Sequence, residues 1–304
     1  SQKLSAYVNV DHIRKKIVQG EQKSLIKIKN TRSILASMKE LSLQEIKDIE
    51  FEMLKVFRSF CEKNNIKYYL SHGTLLGSIR YNGFIPWDDD VDLLVPRSDY
   101  NRLIAIFKDD EKYRLFSPER NTKYGFPYAK LSDMTTRKEE TGIDNGVHLG
   151  VDIDVFPLDA WDDNINEAKK EAKRIRKSIG LLTLSKKKNN RSSNMAKQII
   201  IRGLILCCKI FGSSHYIKKI IKESYKTKQT GGNYLGCKVW CVYGERGIIP
   251  AEVFADTTYV EFEGEMFPAP AGYDTYLTCL YGDYMPEPPV EKRKTHHSFK
   301  AYRL

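Results

Sequence analysis

The chain has 304 residues, of which 41% are hydrophobic and 29% charged, and its formal net charge is +11. This composition is typical of a globular protein of one or two domains and excludes a disordered or fibrous chain. There is no run of about 20 uncharged apolar residues and no signal-peptide pattern, and six cysteines are too few for a disulfide scaffold, so we expect a reduced, cytoplasmic protein.

The first clear element follows an N-terminal segment, residues 1–41, whose polar and basic sequence indicates no role. Ser42 and Glu45 have the spacing of a capping box, and apolar residues recur after them at helical intervals. These signals predict a helix over 43–64. A β-type run then predicts a strand over 66–71.

The predicted elements after this strand alternate between helix and strand. We expect a helix over 74–81, a strand over 91–95 ended by Pro96, and a helix capped by Ser98 that reaches Phe107. Three further strands are predicted over 113–116, 126–131 and 149–156. The fold class is therefore α+β, with a mixed sheet flanked by helices.

A basic helical insert is predicted over 165–230. It contains 18 Lys and Arg but only three Glu, so the insert carries +15 and the rest of the chain −4. Its apolar stretch over 197–211 is interrupted by Arg202 and Lys209. Three interpretations fit: a solvated hairpin that packs its apolar side on its own domain, a helix on an anionic membrane, and a nucleic-acid surface. We expect no nucleic-acid partner, and a C-terminal α+β part over 231–304 completes the domain.

Four carboxylates lie within five residues, at Asp88, Asp89, Asp90 and Asp92. Along an extended chain Asp88, Asp90 and Asp92 share one face and Asp89 takes the other. Oxygen ligands at this spacing suit Mg²⁺ or Mn²⁺ better than zinc. The alternative is an exposed acidic loop that binds no ion.

A second acidic strand contains Asp152 and Asp154 on one face. Upstream, Gly73 and Thr74 lie between a strand and a helix, where backbone amides and a hydroxyl favour phosphate. The order of these features is the pattern of polymerase-β-type nucleotidyltransferases. In that pattern three carboxylates and two metal ions assist displacement at phosphorus.

The longer motifs resemble the LicD family, which includes relatives of fukutin, over most of residues 42–300. The matching segments are Gly73-Thr-Leu-Leu-Gly-Ser-Ile-Arg80, Gly83-Phe-Ile-Pro-Trp-Asp-Asp-Asp-Val-Asp92, Arg97-Ser-Asp-Tyr100, Phe126-Pro-Tyr-Ala-Lys-Leu131, Ile153-Asp-Val-Phe-Pro-Leu-Asp159 and Tyr281-Gly-Asp-Tyr-Met285. The resemblance implies a nucleotidyltransferase-like catalytic core over 42–164. Residues 1–40 and the insert depart from the family pattern.

The resemblance also implies an activity. LicD-like enzymes are cytoplasmic phosphotransferases that move phosphocholine, or a related phospho-alcohol, from a CDP-activated donor to a sugar hydroxyl of a cell-surface glycan precursor such as teichoic acid or lipopolysaccharide. Carried over, Asp90 and Asp92 would hold Mg²⁺ or Mn²⁺. Asp154 would be the third carboxylate and the base for the acceptor hydroxyl, with Asp152 as the alternative.

The same resemblance implies substrate contacts. Gly73 and Thr74 would contact the donor phosphates, and Arg80 and Lys130 would neutralise charge at phosphorus or else form surface ion pairs. Trp87 would supply an aromatic face for a choline group. His72 and His296 are candidates for phosphate contact, or structural histidines.

The expected partners are a CDP-alcohol donor and a glycan or lipid-linked glycan acceptor, with peripheral contact to the inner face of the plasma membrane as one use of the basic insert. Two rival functions remain: transfer of a nucleoside monophosphate to a small molecule or an RNA end, and non-catalytic binding of a glycan or membrane.

Overall fold

The structure is a computed structural model that describes residues 38–188, 195–227, 231–295 and 299–304. Most of the N-terminal segment and His296 therefore lie outside the described residues. The chain forms a mixed sheet flanked by helices, so the α+β prediction is confirmed. The more specific nucleotidyltransferase assignment stays a prediction.

Ten strands are present in the described residues. They are β1 (Tyr69–Leu70), β2 (Asp92–Pro96), β3 (Tyr113–Phe116), β4 (Ala129–Glu140), β5 (Leu149–Ala160), β6 (Tyr234–Gly236), β7 (Ile249–Pro250), β8 (Thr257–Phe262), β9 (Glu265–Pro270) and β10 (Phe299–Arg303). The main sheet has the order β1-β2-β5-β4-β10, with β3 on β4, β6 on β5 and β7 on β6. Strands β2 and β5 are parallel, whereas the other pairs are antiparallel.

Seven α-helices surround the sheet in the part of the chain that the structure describes. They are α1 (Leu43–Lys63), α2 (His72–Tyr81), α3 (Arg97–Ile106), α4 (Ile165–Lys186), α5 (Met195–Phe211), α6 (Ser213–Ser224) and α7 (Tyr273–Tyr281). The α1 capping box is present, because Ser42 and Glu45 bond each other's backbone amides. The prediction of Ser98 as the cap of α3 is wrong: the helix begins at Arg97 directly after Pro96, whose fixed φ suits this position.

Strand β5 crosses the centre of the sheet although it contains Pro157. The amide of Asp154 donates to Val91 on the β2 side, so by alternation the nitrogen of Pro157 faces the opposite side. On that side pairing with β4 ends at Val155, and pairing with β6 begins at Asp159. Pro157 therefore lies where no partner needs an amide donor.

The boundaries of β4 differ from the predicted strand over 126–131. The strand begins at Ala129 and continues to Glu140, because its polar second half pairs with β10 from the end of the chain. Strand β1 is also shorter than predicted, with only Tyr69 and Leu70 paired to β2.

The basic insert forms the three helices α4, α5 and α6. Helix α4 packs against both α5 and α6. No single helix among the described residues is long and apolar enough to span a membrane; residues 198–211 and α6 reach that length and composition only as a pair, bent by 74°.

Candidate active site

Three neighbouring strands bring charged side chains together at the same level of the sheet. Asp92 on β2 is the register partner of Asp154 on β5, and Asp154 is the register partner of Lys130 on β4. Partners in adjacent strands project to the same face, so the three side chains form a row. Two of the sequence-predicted carboxylates, 62 positions apart, are thus neighbours.

The acidic loop before β2 adds further carboxylates to this row. Oxygen atoms of Asp88, Asp89 and Asp90 all lie within 4.8 Å of one another. Asp88 and Asp90 line the cavity described below, whereas Asp89 is buried. Lys47 on α1 fixes the start of the loop, because its ammonium donates to the carbonyl oxygens of Ile85 and Pro86, both at 3.0 Å.

The first turn of α2 positions Asp92 through its backbone. The amide of Asp92 donates to the Thr74 hydroxyl at 2.8 Å. Thr74 is buried behind the cavity lining, whereas Gly73 lines the cavity. A β-carbon at Gly73 would lie 2.8 Å from a carboxylate oxygen of Asp88, so glycine permits the close approach of loop and helix.

His72 is buried beside Gly73 and Asp92 and contributes to the same cavity lining. Its ring stacks on Tyr243 at 5.6 Å between centroids, and its Nδ1 lies 4.0 Å from a carboxylate oxygen of Asp92. Burial lowers the pKa of His72 to about 4, so the ring is neutral at physiological pH.

These residues line an open cavity of about 980 Å³. Among the predicted site residues, its lining contains Gly73, Arg80, Trp87, Asp90, Asp92, Lys130 and Asp154. The structure therefore brings every predicted site residue except Thr74 to one surface. A cavity of this size is large enough for a nucleotide-sized ligand.

The surroundings of Asp92 and Asp154 shift the pKa of both carboxyls in the same direction. Burial, reinforced by repulsion from Asp90 and Asp154, raises the pKa of Asp92 well above its ordinary value. Burial also raises the pKa of Asp154, although the nearby ammonium of Lys130 opposes the shift. Neighbouring carboxylates therefore repel one another in this part of the site.

Asp152 has a different environment. Its carboxylate accepts from Lys130 at 2.7 Å and from Lys138 at 3.4 Å. Burial alone would raise the pKa of Asp152, but the two lysines outweigh it and lower the pKa. The side chain is 1% exposed, against 13% for both Asp92 and Asp154, so Asp152 is the less accessible of the two candidates on β5.

Two predicted substrate contacts have protein partners. The guanidinium of Arg80 donates to the backbone carbonyls of Tyr284 and Pro286 and so anchors the C-terminal loop to α2. Trp87 packs edge-on against Tyr81, and the guanidinium of Arg293 lies 5.5 Å from the Trp87 ring centre. Both residues remain part of the cavity lining.

The sequence analysis missed Lys186, which lines the cavity from the last turn of α4. Its ammonium lies 3.4 Å from the ring centre of Phe126, and burial lowers its pKa to about 7. A sequence signal was present, because buried residues recur along α4 at intervals of three and four. Lys186 is the next position in this series. The preceding members of the series are Ala168, Ala172, Ile175, Ile179 and Leu182.

Lys138 was also missed, and here no local signal exists, because it reaches Asp152 only through the pairing of β4 with β5. The same pairing brings Tyr128 against Phe156, with ring centres 4.4 Å apart.

Two of the motifs noted in the sequence meet on the other face of the sheet. Arg97 forms a two-point ion pair with Asp159, at 2.6 and 2.8 Å, and both side chains are buried. This pair joins the start of α3 to β5 just after the strand's cavity-lining residues. The two residues are structural and do not line the cavity.

The carboxylates of the row are suited to a hard divalent cation. Asp90, Asp92 and Asp154 offer oxygen ligands only, and burial together with repulsion from Asp90 and Asp154 raises the pKa of Asp92. Lys130 lies beside Asp154 and compensates only that end of the row.

Comparison of the sequence with known proteins identifies relatives of this chain. A family profile described as "LicD/FKTN/FKRP, nucleotidyltransferase domain" matches residues 65–179. The match begins just before β1 and ends within α4. It includes the acidic loop and the strands β2 and β5 that contain Asp92 and Asp154.

One relative matches over its whole length. It is named "Lipopolysaccharide cholinephosphotransferase LicD", from Haemophilus influenzae, and is 31% identical over 285 residues, covering 88% of this chain and 100% of the relative. "Mannosyltransferase regulator 4" of Saccharomyces cerevisiae is 34% identical over 105 residues, 34% of this chain and 8% of that protein. An uncharacterized protein of Rickettsia typhi is 35% identical over 77 residues, 24% of this chain and 25% of that protein.

Proposed function

The chain belongs to the LicD family, and from this premise we propose that it transfers phosphocholine, or a related phospho-alcohol, from a CDP-activated donor to a sugar hydroxyl of a cell-surface glycan precursor. The full-length match to a lipopolysaccharide cholinephosphotransferase supports the substrate class. The acceptor would be a lipopolysaccharide or teichoic acid precursor.

The observation that carries the proposal is the register of β2 with β5. It places Asp92 beside Asp154 at the lining of a large cavity, next to the acidic loop. The pairing of β2 with β5 brings two carboxylates together beside the single ammonium of Lys130. Such a cluster is typical of a site that binds a cation and a phosphorylated substrate.

We propose that Asp90, Asp92 and Asp154 hold Mg²⁺ or Mn²⁺. When bound, the cation would neutralise negative charge on the donor's diphosphate and favour in-line displacement. Asp154 is preferred to Asp152 as the third ligand because it is the register partner of Asp92 and accepts from one lysine, whereas Asp152 accepts from two.

The reaction requires the acceptor's sugar oxygen to bond to the phosphorus that carries the alcohol. The bond from that phosphorus to the bridging oxygen breaks, and CMP leaves with the electron pair. The hydroxyl proton goes to a base, and Asp154 is the candidate because its carboxylate lines the cavity beside Asp92 and burial raises its pKa. Lys130, held beside Asp154, would offset charge developing on the phosphoryl oxygens.

The remaining lining residues suggest how the donor is held. Gly73 leaves space at the start of α2, where backbone amides favour phosphate, and Thr74 acts by holding the Asp92 backbone. Trp87, next to Asp88, offers an aromatic face and a carboxylate to a cationic alcohol such as choline. Arg80 contributes by anchoring the C-terminal loop that forms this wall.

The reaction would take place in the cytoplasm, in keeping with six free cysteines. A lipid-linked acceptor would bring the enzyme to the inner face of the plasma membrane.

Product analysis tests the proposal. The purified protein is incubated with Mg²⁺, a glycan acceptor and either CDP-choline or CTP, with CDP-ethanolamine, CDP-glycerol and CDP-ribitol as further donors. We expect CMP release together with a phospho-alcohol on the acceptor. Pyrophosphate release from CTP with a nucleotide on the acceptor would instead identify a nucleotidyltransferase, and no turnover with any donor would favour a binding protein.

A further inference from the structure

Helix α5 exposes an unusually apolar surface for a helix of a basic insert. Of the 15 large hydrophobic side chains exposed in the described residues, six lie on this helix. Their exposed fractions range from 50% to 76%, and the residues are Ile199, Ile200, Leu204, Leu206, Ile210 and Phe211. Only a narrow strip that contains the buried Ile205 and Cys208 faces the rest of the insert.

The exposed residues form one continuous face. At 100° per residue they cover about 160° of the helix circumference. The exposed Arg202 and Lys209 project together along one edge of this arc. The face therefore combines a broad apolar area with a basic margin, the pattern of a helix that lies in a membrane interface.

Charge in the neighbouring helices has the same sign. The insert over 165–230 carries a net charge of +15, while the remainder of the chain carries −4. Exposed lysines continue from α5 into α6 at Lys218, Lys219 and Lys222. This local excess is complementary to an anionic lipid surface and attracts it over about 8 Å at physiological salt.

Length argues for lying on the bilayer rather than crossing it. Seventeen residues of α-helix extend about 26 Å, less than the roughly 30 Å of a bilayer's hydrocarbon core, and Arg202 and Lys209 would fall inside that core. The following helix turns away by 74°.

We propose that the exposed face of α5 is a docking surface for an anionic lipid bilayer. The helix lies in the plane of the interface, with its apolar arc among the acyl chains and its basic edge at the headgroups. Helix α5 packs on α4, whose last turn lines the cavity, so docking would hold the cavity close to the membrane surface. The inference stands on α5 alone and does not depend on the proposed reaction.

Vesicle flotation tests this surface with the full chain. Vesicles of phosphatidylcholine, with or without phosphatidylglycerol, are compared for wild type, for Leu206→Ser with Ile210→Ser, and for Arg202→Gln with Lys209→Gln. Wild type should float with the anionic vesicles and at least about tenfold less with neutral ones. Each double variant should lose binding by roughly tenfold or more.

Two control variants test whether binding depends on the α5 surface or on exposed apolar and basic residues in general. Tyr259→Ser with Met266→Ser removes two residues that are 62% and 52% exposed on the β8–β9 hairpin, and Lys63→Gln with Lys108→Gln removes two exposed charges outside the insert. Both should bind as wild type does, and all variants should melt at the wild-type temperature.

Three results would overturn the proposal: wild type that does not float, serine variants that bind anionic vesicles as tightly as wild type, or controls that lose binding equally. Sedimentation of the protein without lipid tests whether a second copy of the chain covers α5 instead. A dimer that Leu206→Ser with Ile210→Ser dissociates, together with absence of vesicle binding, would show that α5 pairs with a second copy instead.

Discussion

Lys130 neutralises two buried aspartates of one strand. Its ammonium bonds both Asp152 and Asp154, and Lys130 is 5% exposed. Removing one partner of such a buried group leaves uncompensated charge, whereas removing both partners does not. This asymmetry makes Lys130 a structural residue of the site as well as a candidate for charge neutralisation at phosphorus.

Lys130→Met should therefore lower the free energy of unfolding by about 3 kcal/mol or more. Adding Asp152→Asn should recover part of that loss, because one of the two aspartates that lost the Lys130 ammonium no longer carries a charge. Urea denaturation measures both changes. Lys170→Met, which removes the exposed pair with Glu167, should change stability by less than about 1 kcal/mol. Equal losses for the two lysine variants would contradict this account.

Glu50 on α1 is a second buried charge, 1% exposed and without a hydrogen-bond partner for either oxygen among the described residues. Burial raises its pKa well above 4.5, with Lys138 opposing the shift and Asp90 and Asp152 reinforcing it. Because the folded-state pKa is the higher one, its contribution to stability is full below about pH 4.5 and is lost as pH rises toward the folded-state value.

Glu50→Gln should remove this loss of stability at higher pH. Its stability relative to wild type should increase with pH above about 4.5, by up to roughly 1.4 kcal/mol per pH unit until the folded-state pKa is reached. Denaturation between pH 5 and 8 measures the slope. Glu52→Gln, which alters an exposed side chain of the same helix, is the control. Parallel pH profiles for wild type and Glu50→Gln would show that Glu50 does not titrate as described.

At the scale of elements, one hydroxyl connects α2 to β2. The Thr74 side chain accepts from the Asp92 amide, and both groups are buried or nearly so. The bond fixes the strand's first residue against the helix that begins at the cavity.

Thr74→Val keeps the shape of the side chain but leaves the Asp92 amide without its acceptor. We expect a loss of about 1–3 kcal/mol in the free energy of unfolding and a lower rate of CMP release, because Asp92 is no longer held. Thr74→Ser keeps the hydroxyl and should restore most of both. A valine variant as active and stable as wild type would mean that this bond does not position Asp92.

Local sequence signals predicted the elements that they control. The capping box and apolar spacing gave α1 within one residue, and strict alternation gave the face of Asp152 and Asp154. Prediction failed where distant pairing decides: β4 extends to Glu140 because β10 pairs with it from about 160 positions away, and Lys138 reaches Asp152 through the same strand. The secondary-structure propensities of a short stretch of sequence carry no information about such distant contacts.

At the scale of the whole molecule, the fold brings together residues from several separate stretches of the chain. The acidic loop, β4 and β5, the last turn of α4 and the C-terminal loop all contribute to one cavity. The motifs of the sequence predicted the carboxylates and favoured Asp154 over Asp152 as the third one. The register with Asp92 and the two lysines on Asp152 support the same preference, which stays a proposal.

The central claim is that Asp92 and Asp154 hold the divalent cation that phospho-alcohol transfer requires. Protein stripped with EDTA is titrated with Mg²⁺ while CMP release from CDP-choline is followed in the presence of acceptor. Wild type and the control Asp48→Asn, an exposed residue of α1, should regain activity in a saturable way. Asp92→Asn and Asp154→Asn should remain folded, since one repelling charge is removed, and stay at least about 100-fold slower at saturating Mg²⁺. Full activity without metal, or a wild-type Mg²⁺ response in either variant, would contradict the account.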